Sequence, residues 1–178
     1  SLNEVGPPGL RGADVKAFSK CSATQSFKSA DRVMLRITGS KTDKFNQGHF
    51  MSHTRSGHEY LCPVRAFETL QSHFPQRFSE ESTELFFRWA SGKPVLRVPM
   101  QAILEKAAEA AGVDPNLIGS HSLRFGGASA LWAAYRDTGV VQRWGRWGSD
   151  AFHGYLWKSE ESVAGVRKAM AASKVAVL

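Results

Sequence analysis

Two residues in the stretch GSHSLRFGGAS, Gly119 to Ser129, are of types that hold anions. His121 and Arg124 stand three apart, a spacing that puts both on one face of a first helical turn, and Ser120 before them predicts an N-cap. A helix start offers backbone N–H groups and partial positive charge. Arginine adds a planar fork of donors, and histidine adds a group that exchanges a proton near neutral pH. Together they form a clamp for phosphate oxygens. Gly126 and Gly127 follow, each costing about 1 kcal/mol of helix propensity against alanine, which predicts close packing against a neighbour as compensation. Further on, VQRWGRWGSDAFHGYLW carries Trp144, Trp147 and then Tyr155. A phenol with an ordinary pKa near ~10 becomes a nucleophile only beside positive charge or a base. A solvated helix end and an aromatic core residue explain His121, Arg124 and Tyr155 one at a time. The ordered set of His–x–x–Arg, Trp and Tyr is far more specific than any member.

The elements that must position this set can be read from pattern. Residues 1–30 are rich in Gly, Pro, Ser and Lys, and only GADVKAF predicts a short ordered element. In RVMLRITGS, Val33, Leu35 and Ile37 alternate with Arg32, Met34, Arg36 and Thr38, which predicts a strand. The turn-rich GSKTDKFNQGHF and a second strand, HFMSHT, complete a hairpin or small antiparallel sheet. Beyond Pro63, CPVRAFETLQSHF predicts a helix, and TELFFRWASGKPV reads as a buried strand ending in a turn. VPMQAILEKAAEAAGV is an amphipathic helix stopped by Gly112. Four helical stretches follow: SHSLRFGGASALWAAY, TGVVQRWGRW, DAFHGYLW and EESVAGVRKAMAAS. The expected class is α+β, mainly α, with a small sheet near the N-terminus and a helical C-terminal body.

The bulk numbers agree with a folded, anion-binding chain. At 178 residues with 42% hydrophobic and 22% charged residues, it is long enough for one domain with a core. No apolar run of spanning length occurs, and the first residues lack the layout of a signal peptide. Cys21 and Cys62 make no disulfide framework, which points to a reducing, intracellular compartment. The net charge of +7 favours a polyanionic partner, nucleic acid first. His49, His53, His58 and Cys62 raise a zinc-module alternative, but their spacing fits no closed structural site.

The stretch GSHSLRFGGASALWAAYRDTGVVQRWGRWGSDAFHGYLW resembles the catalytic region of tyrosine recombinases, the phage-integrase family. The family's H-x-x-R box matches His121 and Arg124, its His/Trp position matches Trp147, and its nucleophile matches Tyr155. Its hairpin lysine matches Lys41, with Lys44 the second choice, and LRGADV is similar to the stretch after its first arginine box. The GSKTD…G…LCPVRAF layout is most similar to eukaryotic and mobile-element members. The resemblance covers nearly the whole of 1–178, strongly over 119–157 and more loosely over 9–65.

It implies cleavage and rejoining of double-stranded DNA, in site-specific recombination or integration. Tyr155 would form a 3′-phosphotyrosyl link, while Arg124 holds non-bridging oxygens and His121 exchanges a proton. Lys41 would protonate the leaving 5′-oxygen and Trp147 would buttress the site, with no metal or organic cofactor. Lys44, Arg32, Arg36, Arg143 and Arg146 would contact DNA phosphates. The segment 159–178 would form a C-terminal helix and tail that joins protomers, as a tetramer on DNA, and the compartment would be the nucleus of a eukaryote or the cytoplasm and nucleoid otherwise. The family's first arginine has no match, because Ser1 stands three before Glu4. The expectation is a chain truncated at its N-terminus, without the DNA-clamping domain. The alternatives are a non-catalytic DNA-binding relative that has lost that arginine, and a type IB topoisomerase-like enzyme.

Overall fold

The computed structural model describes residues 9–38 and 48–155. They form a mixed α/β protein with four α-helices and a four-stranded antiparallel sheet, and the chain gathers into two compact units, Ser1–Val95 and Leu96–Leu178.

In the first unit, β1 (Val15–Ser19), β2 (Ser22–Thr24), β3 (Arg32–Ile37) and β4 (His49–Thr54) pair in the order β2-β1-β3-β4. β3 and β4 occupy the segments their alternation predicts. β1 and β2 correct the expectation that residues 1–30 hold only one short element. Lys20 and Cys21 take positive φ values of 47° and 71° at the turn between them, where no Gly or Asn marks it.

Alternation sends Val15, Ala17 and Val33 into the core with Phe27, Val64 and Phe86. The helix α1 (Pro63–His73) begins with proline at its first turn and covers this face through Val64, Phe67 and Leu70. Phe27 stacks on Phe67 at 5.7 Å, and Phe78 meets Phe86 edge-on at 4.9 Å. The loop from β2 to β3 is stapled from outside. Arg55 donates through Nε to the Ala30 carbonyl at 2.7 Å and through Nη2 to the Phe27 carbonyl at 2.8 Å, while pairing with Glu68 at 3.0 Å. The strand expected in TELFFRWASGKPV is not formed. Only Phe86 is buried there, and a tight turn carries a single bridge, Arg88 to Pro94.

In the second unit, α2 (Arg97–Ala110) ends where Gly112 takes φ 71°, with its N–H donating to the Glu109 carbonyl. Of this amphipathic helix only Ala108 is buried, and Val98 and Ile103 are exposed. The other helices are α3 (Ser122–Tyr135) and α4 (Thr138–Gly145), followed by a 3-10 turn over Asp150–Tyr155. The helical stretch expected of DAFHGYLW is thus of 3-10 type through Tyr155, and its last two residues lie outside the described residues. Asp137 caps α4 by accepting from Gly139 and Val140 at 2.7 and 3.2 Å. Ala128, Val141 and Phe152 form the core, with Leu131, Trp132 and Trp147 packed around them. The expected helix EESVAGVRKAMAAS lies outside the described residues. Among those described, no helix is long and apolar enough to cross a membrane.

Candidate functional site

The start of α3 is fixed from α2. Gln101 donates through Nε2 to the Ile118 carbonyl at 2.7 Å, and its Oε1 accepts from the Ser120 N–H at 3.0 Å. The N-cap is His121, at φ −75° and ψ −23°, and not Ser120, whose backbone is committed to Gln101. Ser122 Oγ accepts from Gly119 N at 2.9 Å and closes the same turn. His121 accepts at its carbonyl from Arg124 N and Phe125 N, both at 3.0 Å. Its ring makes no cap hydrogen bond and stands exposed, one turn before Arg124.

Arg124 is held at two places. Its Nη2 donates to the Gly145 carbonyl at 2.9 Å, and its Cζ lies 4.4 Å from the centre of the Trp147 ring. Hydrogen bond and cation–π contact both anchor the same guanidinium. The last residue of α4 makes both possible. A Cβ on Gly145 would overlap the Trp147 ring, so the indole rests on a bare Cα. Arg146 then turns the chain in the left-handed region, at φ 56° and ψ 46°, and Trp147 N donates back to the Gln142 carbonyl. Trp147 also packs on Phe152, with centroids 6.2 Å apart, and Phe152 buries in the core of α3 and α4. Phe152 thereby anchors the 3-10 turn whose last residue is Tyr155.

Thus α3 and α4 bring Arg124 and Trp147 into contact with His121 one turn before Arg124, and the 3-10 turn carries the backbone to Tyr155. Arg143 is exposed on α4, and Arg146 is half-buried beside Gly145. Lys41 and Lys44 lie outside the described residues. Arg32 and Arg36 sit on β3 in the other unit, Arg32 over the Phe18 ring at 4.9 Å. The close packing expected of Gly126 and Gly127 is corrected. Both are exposed, and a Cβ at either would meet nothing within 4 Å among the described residues. The close approach is at Gly145 instead, and its signal was there to read: a glycine between Trp144 and Trp147 at a helix end. Phe152 had a weaker one, an apolar residue three before the tyrosine. Gln101 had none, since a polar residue on a helix looks like solvated surface.

Elsewhere, Cys62 is buried as the N-cap of α1. The Arg65 backbone N–H beside its sulfur, helped by that of Ser56, holds the thiol below its ordinary 9.0. His58 Nδ1 accepts from Tyr60 N and Leu61 N, at 3.1 and 3.2 Å, and so serves the turn before Cys62. Among the described residues no group of three or more His, Cys, Asp or Glu is placed to hold a metal ion.

Compared with family models, curated proteins and solved structures, the chain matches none.

Proposed function

We propose that this chain is a tyrosine-recombinase-type catalytic region that cleaves and rejoins double-stranded DNA through a 3′-phosphotyrosyl intermediate. The observation that carries the reading is the mounting of Arg124. An exposed guanidinium at the first turn of a helix is fixed by Gly145 and Trp147, with His121 one turn before it. A fixed guanidinium stabilises the charge that builds on a phosphate in its transition state without reorganising when the charge appears. The turn anchored by Phe152 ends at Tyr155, so the nucleophile of the scheme follows directly on the elements that hold the phosphate clamp.

In this reading Tyr155 gives its phenol proton to His121 and attacks the phosphorus, and the 5′-oxygen leaves, taking its proton from Lys41. The bond energy is kept in the phosphotyrosyl ester until a 5′-hydroxyl attacks in turn, so rejoining needs no ATP. Arg143, Arg146, Arg32, Arg36 and Lys44 serve as phosphate contacts, which fix register on the duplex without reading sequence. The C-terminal segment 159–178 joins protomers into a tetramer on DNA.

A nicked suicide duplex tests the proposal. Cleavage near the nick releases a short oligonucleotide and traps the covalent complex. The expected result is a protein–DNA adduct in denaturing gels that disappears in Tyr155→Phe. DNA binding without any adduct would reduce the chain to a binding relative. Relaxation of supercoiled DNA without strand exchange would move it to the topoisomerase reading.

A further inference from the structure

The sheet of the first unit has a second face. Registered partners share a side, so the pairs Val33↔His53 and Leu35↔Met51 face the α1 side, while Met34↔Ser52 and Arg36↔Phe50 face away from it. β1 continues this outer face through Lys16, opposite Met34, and Phe18, opposite Arg32. No outward position on β1, β3 or β4 is a carboxylate. Lys16 has its own partner in Glu80. Arg32 and Arg36 supply the charge, with Arg32 Cζ over the Phe18 ring, 4.9 Å from its centre. Phe50, on the edge strand directly across from Arg36, is 58% exposed.

Each feature excludes something. An arginine face whose strand positions hold no carboxylate, with Glu80 already paired to Lys16, repels a basic surface and attracts a polyanion. A phenylalanine left open to water beside an arginine offers a flat apolar surface that a phosphate backbone alone does not use. In duplex DNA the base faces are already stacked on one another, so a duplex can meet the arginines but not the ring. A single strand meets both, its phosphates on the guanidiniums and an unpaired base on the ring.

We infer that the outer face of this sheet binds single-stranded nucleic acid, with a base stacked on Phe50 and the adjoining phosphates held by Arg36 and Arg32. The site shares its arginines with the proposed duplex contacts but needs no chemistry at Tyr155, so either can fail without the other.

Fluorescence anisotropy on the whole chain tests it, with a labelled twelve-residue oligothymidine, a duplex of equal length and a polyglutamate competitor. Phe50→Ala removes an exposed ring and is expected to weaken oligothymidine binding about tenfold, within the roughly five- to 150-fold range of one stacked base, while leaving the duplex unchanged. Phe50→Trp retains binding. Arg36→Gln weakens both and lowers the salt dependence for the single strand by about 0.7 in log–log slope. Oligothymidine binding unchanged in Phe50→Ala, an equal loss for the duplex, or displacement of oligothymidine by equivalent polyglutamate each overturns the inference. The last result would identify an acidic peptide surface instead.

Discussion

Arg124 reaches from the first turn of α3 to the final carbonyl of α4, donating from Nη2 to Gly145 at 2.9 Å. The bare Cα of that glycine is also where the Trp147 ring rests, and the Arg124 Cζ lies over the same ring, 4.4 Å from its centre. One residue with no side chain therefore sets both constraints on the cation that the proposed chemistry depends on most.

Gly145→Ala separates those constraints. The added methyl displaces the indole, and the guanidinium loses its ring contact while its hydrogen-bond acceptor remains. The expected loss of DNA cleavage is on the order of 10²-fold, as for a catalytic group moved by about 1 Å, with α3 and α4 still folded by circular dichroism. Tryptophan emission should shift toward that of exposed indole, a change that Trp147→Phe abolishes. Cleavage at the wild-type rate in Gly145→Ala would show that Trp147 does not position Arg124.

Alanine at Gly126 or Gly127 should help the protein. Both lie inside α3 with no described residue where a Cβ would go, so each substitution is expected to stabilise by about 0.5–1 kcal/mol without affecting DNA binding. Urea unfolding measures it. A destabilised Gly127→Ala would mean that another surface packs there.

Arg55→Met keeps much of the side-chain volume and removes the staple on the loop from β2 to β3. With the Ala30 and Phe27 carbonyls losing a charged donor, the cost should be about 2 kcal/mol. The effect is one of the first unit's stability, read as a lower urea midpoint with unchanged slope.

Cys62 makes a prediction about pH. Its thiol is pulled below 9.0 in the fold, so the folded state holds the thiolate better than the unfolded chain does. The stabilisation is fully present above the unfolded value and fades as pH falls through the lowered folded value. The stability difference between the wild type and Cys62→Ala should therefore grow in the wild type's favour as pH rises toward 9. Measured from pH 6.5 to 9.5, a difference that does not change would contradict the helix-start environment of the sulfur.

Much of this framework is legible in the residues. The β3 and β4 alternation, Pro63 at the start of α1 and Gly112 after α2 are local signals, and each element lies where its signal falls. β2 was not legible, because three residues, Ser22 to Thr24, have no pattern of their own and are a strand only through pairing with β1. The TELFFRWASGKPV stretch misled because Phe86 and Phe87 resemble a buried strand, although only Phe86 is buried and Phe87 is exposed. At the candidate site, His121, Arg124 and Trp147 stood out by type and spacing. The roles of Gly145 and Gln101 come from contacts across 21 and 17 residues with Arg124 and Ile118, which no local pattern carries.

The most direct measurement is the chemical identity of the protein–DNA bond. The trapped complex is digested with protease and nuclease, and the nucleotide-bearing peptide is sequenced by mass spectrometry. The account predicts a phosphodiester from Tyr155 to a 3′-terminal nucleotide, with its yield collapsing in Arg124→Lys, which keeps the charge but loses the planar fork. A nucleotide on any other residue, or a 5′-phosphate linkage, would contradict it.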